Sequence, residues 1–365
     1  MKKPTILHTE ASLGWGGQEI RILSEMLGMR SRNYEVLLAT PSNSGIYQRA
    51  TDSGFEVFDV KMDRTDFISG TLALKEIMKN RSISILNTHS SRDSWMGSIA
   101  GKLLGVKVLR TRHISSALNK NRLTRLVYGP LCDGIITTGE LIRTQLINEL
   151  SLNLDKIHSI PTGINVERFQ TADGVSVRST LRIPLDAVVL GIAAVLRSWK
   201  GHSHLLRAMP QILASYPEVK LMIVGDGPMR RRVEEELRDL NLGGSVILTG
   251  HREDIPEVVN SFDIAVIASY ASEGIPQFAL QAMAAGKPVI GTRIGGIPEV
   301  IQDGINGLLI DPQEPALIAD AVKALLNDRE RMKQMGEAGR RIVRDRHTAE
   351  KMLDCVEALY HRVLS

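Results

Sequence analysis

The run Ser272-Glu273-Gly274-Ile275-Pro276-Gln277-Phe278-Ala279-Leu280-Gln281 sets a carboxylate, a helix start and a side-chain amide within a few residues of one another. Pro276 suits the opening of a helix, because its φ is already helical and the N–H it lacks would have no intrahelical partner there. Glu273 then stands just outside the helix, where its carboxylate can accept hydroxyl hydrogen bonds. The first-turn amides of Gln277 and Phe278 face outward toward an anion such as phosphate. Gln281 lies further along the same helix, roughly 12 Å from Glu273 at the helical rise per residue. That separation matches the span from the sugar to the ribose of a nucleotide sugar, so the two polar side chains read as contacts to opposite ends of one ligand.

A second group is cationic. Val195-Leu196-Arg197-Ser198-Trp199-Lys200-Gly201-His202 brings Arg197 and Lys200 to the start of a helix. Departure of a diphosphate needs its developing charge neutralised by a metal ion or by fixed cations. The sequence has no Asp-x-Asp pair and no His/Cys ligand cluster, so Arg197 and Lys200 are the candidates and no metal or other cofactor is expected. Glycine-dense turns occur at Gly14-Trp15-Gly16-Gly17-Gln18-Glu19, Gly225-Asp226-Gly227-Pro228 and Gly250-His251-Arg252-Glu253-Asp254. The first leads into a helix and suits an anion through Gly16 and Gly17. The other two can frame a flat base, with Gly225, Gly227, His251 and Arg252 as contacts, although glycines at such places also serve tight turns alone. His89 and His113, the latter between Arg112 and Ile114, fall where an imidazole can reach a polar ligand.

Elements that position these residues follow from the hydrophobic pattern. Short β-rich runs alternate with amphipathic helical stretches, the pattern of parallel sheets with crossover helices. One series of strands covers 5–9, 35–39, 56–60, 83–89, 107–111, 134–137 and 156–160. A second covers 188–194, 220–225, 246–249, 264–268, 288–291 and 307–310. The weakly periodic stretch 161–184 marks a junction between two doubly wound α/β domains, and two charged helices with a break near His347 and Thr348 close the chain. We place an N-terminal domain at 1–170, a C-terminal domain at 171–345 and a final helix at 346–365 that packs across them. Ligands of such sheets bind beyond the carboxyl ends of the strands, where every candidate above falls.

The 365 residues exceed one hydrophobic core, 43% are apolar, and the net charge of +4 is too small to argue for nucleic acid. Cys132 and Cys355 read as buried free thiols of a reducing compartment. No signal-peptide core and no membrane span is visible, so a cytoplasmic protein is expected. The charge is uneven, however: from Ser94 to Cys132 there is no acid, against Lys102, Lys107, Arg110, Arg112, Lys120, Arg122 and Arg125. That tract reads as attraction to an anionic glycolipid, oligosaccharide or lipid surface, or else as a solvated basic face.

Together the motifs resemble the retaining glycosyltransferases of family 4, which have the GT-B fold: two doubly wound, Rossmann-like domains facing each other across a cleft. Glu273 and Gln281 are similar to that family's paired glutamates, and Ala282-Met-Ala-Ala-Gly-Lys-Pro-Val289, Gly16-Gly17, Ile160-Pro-Thr-Gly-Ile-Asn165, Lys200-Gly201 and Gly295-Gly296-Ile-Pro-Glu299 extend the likeness over nearly the whole chain. The resemblance implies transfer of a sugar from a nucleotide-sugar donor to an acceptor hydroxyl with retention and no metal, in lipopolysaccharide or other cell-surface glycan assembly on the cytoplasmic face of the inner membrane. It implies that Glu273 contacts donor-sugar hydroxyls, that Lys200 and an arginine hold the diphosphate, and that His113 lines the reaction site. Two departures from the family pattern stand out. Ala194 and Val195 occupy the places where the arginine is usual, leaving Arg197 as substitute, and Gln281 replaces a glutamate. An amide has one acceptor oxygen where a carboxylate can take both hydroxyls of a ribose. A non-catalytic nucleotide-sugar-binding protein and a sugar-nucleotide epimerase of the same fold are the alternatives.

Overall fold

The computed structural model describes residues 3–271 and 273–365, so Ser272, the first residue of the grip, lies outside the described residues. The chain forms two compact units, one of residues 1–163 with 349–365 and one of residues 164–348.

In the first unit seven strands form one sheet: β1 (Thr5–Thr9), β2 (Glu35–Thr40), β3 (Glu56–Asp59), β4 (Ile85–Thr88), β5 (Lys107–Arg112), β6 (Gly134–Thr137) and β7 (Ile157–Ser159). Their order is β3-β2-β1-β4-β5-β6-β7, and all pairs are parallel. β1 and β4 are buried along their whole length, as strands covered by helices on both faces must be. Helix Ala349–Leu364 lays Met352, Val356, Leu359 and Tyr360 into the same core as Ile22, Met26 and Met29 of helix Gly17–Ser31. It belongs to the first unit, and Cys355 on its outer side is exposed. This corrects the expectation of two buried thiols; only Cys132 is buried.

The second unit holds β8 (Val189–Ala193), β9 (Lys220–Val224), β10 (Val246–Gly250), β11 (Ile264–Ile267), β12 (Val289–Thr292) and β13 (Gly307–Ile310), in the parallel order β10-β9-β8-β11-β12-β13. The Ala-Met-Ala-Ala-Gly run here is a packing device. Ala282, Met283, Ala284 and Ala285 are core residues, and the small side chains let helix Arg329–Arg346 approach so closely that a Cβ on Gly336 would lie 2.0 Å from the Gly286 carbonyl oxygen. The units part between Gly163 and Ile164, ahead of the boundary at 170, and the chain returns to the first unit at Ala349 rather than at 346.

Candidate functional site

In the second sheet the strand order reverses between β8 and β11, the place where doubly wound sheets open to ligands. The segments leaving these two strands meet there. Lys200 Nζ donates to Glu273 Oε1 at 2.6 Å, and Ser269 Oγ donates to the same oxygen at 2.6 Å. Glu273 is buried and Lys200 retains 25% side-chain exposure, so the pair is screened by water far less than a surface pair. Two glycines hold the geometry. Gly201 has φ +75°, and a Cβ there would stand 1.9 Å from the Ala268 carbonyl oxygen. Gly295 has φ +55°, its Cβ would stand 2.2 Å from the Glu273 carbonyl oxygen, and the Gly296 N–H donates to that oxygen at 3.3 Å. The Gly295-Gly296 pair thus supports the backbone of Glu273.

Gly274, Ile275 and Pro276 are buried, and the side chains of Ile275 and Phe278 belong to the core, which leaves the backbone of this run as its polar face. Helix Gln277–Ala284 begins one residue after Pro276, which is its N-cap. Gln277 carries a buried Oε1 without a hydrogen-bond partner among the described residues, and Gln281 is half-buried. Arg197 is not brought to the Lys200–Glu273 pair: it is exposed, with its guanidinium over the Trp199 ring at 5.2 Å. Gly225 and Gly227 lie against the carbonyls of Ala194 and Leu196. His251 is exposed, 3.9 Å from Glu253, and Arg252 is tied to Asp254, whose carboxyl it holds below the usual range. His202, beside Lys200, is buried and is pushed down to about 4 by burial and then by the lysine's charge.

The first sheet reverses between β1 and β4, and its polar cluster is of another kind. His8 Nδ1 lies 2.9 Å from His89 Nε2, and His89 Nδ1 lies 3.0 Å from His113 Nε2. Each contact takes one donor and one acceptor, so the three imidazoles form a chain with a single proton direction. All three are held below the usual histidine range, chiefly by burial, with the charge of Arg21 pressing on His89 and His113 and Glu25 opposing at His8. Alongside, Glu10 is buried and pushed up to about 8 by burial, Asp93 and Glu19, in that order, while Asp93 is raised by burial. Gly16 caps helix Gly17–Ser31 with its N–H on Glu19 Oε2 at 2.9 Å, so this turn's amide is taken up within the chain.

The family described as Glycosyltransferase Family 4 matches residues 15–168, and the family described as Glycosyl transferases group 1 matches residues 177–342. The chain belongs to glycosyltransferase family 4. Among relatives, a D-inositol 3-phosphate glycosyltransferase of Corynebacterium kroppenstedtii is 28% identical over 82% of this chain and 75% of its own. The UDP-Gal:alpha-D-GlcNAc-diphosphoundecaprenol alpha-1,3-galactosyltransferase of Escherichia coli is 28% identical over 66% of this chain and 65% of its own. The structure of Anabaena HepE in complex with UDP and glucose superimposes with a TM-score of 0.89 at 18% identity, over 98% of this chain and 99% of that one. The two doubly wound parallel sheets are those of the GT-B fold, and this family 4 chain is a glycosyltransferase of nucleotide-sugar donors.

In this glycosyltransferase, reading the sequence overlooked Ser269, His8, Glu10 and Asp93. Ser269 was within reach, since it follows β11 at the reversal of strand order. His8 lies inside β1 and Asp93 inside helix Ser91–Leu104, places where a buried polar side chain has no local signature.

Proposed function

We propose that this glycosyltransferase moves a sugar from a nucleoside diphosphate sugar to a hydroxyl of an anionic glycolipid or oligosaccharide acceptor, with retention and without a metal, in cell-surface glycan assembly such as that of lipopolysaccharide. The observation that carries the donor half is the Lys200–Glu273–Ser269 cluster at the reversal point of the second sheet. Lys200 neutralises the diphosphate as the bond from the anomeric carbon to phosphate breaks. Glu273, released from the lysine, accepts from sugar hydroxyls, and the amides of Gln277 and Phe278 face the phosphates. The acceptor oxygen bonds to the anomeric carbon on the side the diphosphate leaves, and its proton passes to a departing phosphate oxygen. His113 lines the reaction site, and Gln281 contacts the nucleotide ribose with one acceptor oxygen. Arg197, His251 and Arg252 reach the donor only by leaving their present partners, so Lys200 carries most of the charge stabilisation.

The acceptor half is supported by relatives whose names specify phosphate-bearing acceptors, D-inositol 3-phosphate and GlcNAc-diphosphoundecaprenol. Attachment at an anionic membrane surface is supported by helix Arg122–Tyr128, which exposes Leu123 at 62% and Leu126 at 40% beside the cations Lys120, Arg122 and Arg125. No helix among the described residues is long and apolar enough to cross a membrane.

Incubation with a panel of nucleotide sugars, UDP-glucose first, and phosphate-bearing acceptors tests the reading, with the anomeric configuration of the product assigned by proton NMR and chelator added in parallel. An inverted product overturns retention, and loss of transfer in chelator overturns metal independence. Epimerised donor without acceptor would favour the epimerase reading, and tight donor binding without turnover the binding protein.

A further inference from the structure

A cavity of about 340 Å³ opens at the carboxyl end of the first sheet, lined by His89, His113, Ser90, Ser91, Arg110 and Arg112 among others. That volume is within the range of small-molecule sites. Neither of its arginines forms an ion pair among the described residues, although the buried Asp93 carboxylate lies close enough to feel the charge of Arg110. Arg110 is 6% exposed, its guanidinium lies over the Tyr128 ring at 3.9 Å, and its Nη1 is buried without a hydrogen-bond partner among the described residues. Arg112 donates from Nη1 to the Tyr128 hydroxyl at 2.9 Å and from Nη2 to the Ser116 carbonyl, while its Nε is buried and has no partner among the described residues. Among the described residues neither arginine has a carboxylate within ion-pair distance. The nearby acid, Asp93, is engaged elsewhere: it accepts from Thr9 Oγ1, the His89 N–H, the Ser90 N–H and Ser90 Oγ.

A buried guanidinium without a counter-charge is costly, and an aromatic face offsets only part of that cost. Nor is the rest of the basic tract there to share the role. Lys102 is paired with Asp133 at 2.9 Å, and Lys120, Arg122 and Arg125 are exposed. Ser90 and Ser91, at the positive end of the 14-residue helix Ser91–Leu104, border the same cavity and reinforce its preference for an anion. The planar forks of two arginines suit the oxygens of a phosphate better than a single carboxylate would.

We infer that this cavity is a phosphate subsite for the acceptor: Arg110 and Arg112 bind a phosphomonoester or diphosphate that the acceptor carries, and so present its hydroxyl beside His113. The inference rests on the proposed glycosyl transfer and deepens it by placing the acceptor's phosphate on named residues. Two sources share this chemistry, a soluble sugar phosphate and a lipid-linked sugar diphosphate.

The test uses the full chain and separates this site from the donor site, which also takes phosphate. Titration calorimetry with inorganic diphosphate is run on the wild type, Arg110→Gln, Arg112→Gln and Lys200→Ala, with circular dichroism to confirm folding. Binding at one site should disappear in Arg110→Gln and weaken in Arg112→Gln while persisting in Lys200→Ala. Should Arg110→Gln fail to fold, Arg112→Gln and the charge-retaining Arg110→Lys, which should bind more weakly than wild type, decide in its place. In transfer assays the arginine variants should raise KM for a phosphate-bearing acceptor by about tenfold to a hundredfold, the range for a lost hydrogen bond to a charged group. Preference for a polyprenyl-diphosphate sugar in neutral vesicles over a soluble hexose 1-phosphate, or the reverse, identifies the source. Diphosphate binding that is lost only in Lys200→Ala, or a KM unchanged in both arginine variants, overturns the inference. Thermal stabilisation by UDP-glucose, GDP-mannose and related donors keeps the outcomes apart: stabilisation without diphosphate binding at Arg110 refutes the subsite alone, whereas no response to any nucleotide sugar refutes the proposed function as well.

Discussion

The two units carry opposite electrostatic designs on the same kind of sheet. In the second, Lys200 and Glu273 neutralise each other at 2.6 Å, and glycines at 201 and 295 bring bare backbone up to them. In the first, Arg110 and Arg112 form no ion pair among the described residues, Glu10 lies buried beside Asp93 and is raised to about 8 by burial and then by that neighbour, and three imidazoles are held below the usual histidine range. A site closed on its own counter-charge must exchange partners to bind: in the proposed donor role phosphate would take the lysine while sugar hydroxyls take the glutamate, so ligand affinity would be reduced by the pair that is broken. A site with unpaired cations gains a counter-ion without giving one up. On the proposed reading, the donor side would be organised before binding and the acceptor side completed by it.

The strongest way to break this comparison is at Lys200. Lys200→Ala removes the fixed cation and leaves Glu273 buried with Ser269 as a remaining donor, so kcat/KM should fall by about 10² to 10³, the scale for losing one charge-stabilising donor. Steady-state kinetics checks this, and a loss under threefold would mean that the diphosphate is held elsewhere. Next in size is the backbone support. Gly201→Ala and Gly295→Ala each add a side chain to a left-handed backbone and drive it into a carbonyl, which should cost about 2 to 4 kcal/mol in the second unit. Gly243→Ala, where a Cβ meets nothing within 4 Å, is the control and should leave the thermal midpoint nearly unchanged.

These glycines also show why the second unit was the more legible of the two in sequence. Its site is assembled from contiguous runs: Lys200-Gly201, Ser269 to Gln281 and Gly295-Gly296 each lie on one segment leaving a strand, so spacing alone brings chemistry and support together. The thirteen strands among the described residues were readable as well, the central ones because strands buried on both faces write continuous apolar runs into the chain. The first unit's site draws single side chains from β1, β4, β5 and helix Ser91–Leu104, and nothing local distinguishes His8 from a core residue. Seven cations read as one basic surface proved to be two cavity residues, one paired lysine, the half-buried Lys107 and three exposed residues, a division that only the direction of each side chain sets. Arg197 failed to join Lys200 for a similar reason, since the turn Ser198–Lys200 between them sends the arginine over Trp199.

The first unit's design is sharpened by pH. His8, His89 and His113 titrate below their unfolded values, so on acidification the unfolded chain takes up protons that the folded chain refuses. The stability they contribute is present above about pH 6.5 and is lost as pH falls below it. His89→Ala should cost about 1 to 3 kcal/mol at pH 7.5, by leaving His8 Nδ1 and His113 Nε2 without each other's relay partner. The same variant should show a shallower fall in thermal midpoint between pH 7 and 5, as read by calorimetry.

Glu10 has the opposite sign and the smallest expected effect. Its folded value of about 8 lies above the unfolded carboxyl value of 4.5, so the folded chain binds the proton more tightly. The stabilisation is complete below about pH 4.5 and is lost as pH rises through about 8. Deprotonation places a third charge beside Asp93 and Glu19, with Gln18 and the Ser12 N–H as its donors. Glu10→Gln keeps an acceptor for one of those donors and can never ionise. It should therefore be slightly less stable than wild type at pH 6, by about 1 kcal/mol for the weakened hydrogen bond, and should match or exceed it at pH 9. A wild type whose thermal midpoint is unchanged between pH 6 and 9, with Glu10→Gln running parallel to it, would mean that Glu10 is ionised throughout. The acids of this unit would then already serve as counter-charges to its arginines, and the contrast with the second unit would disappear.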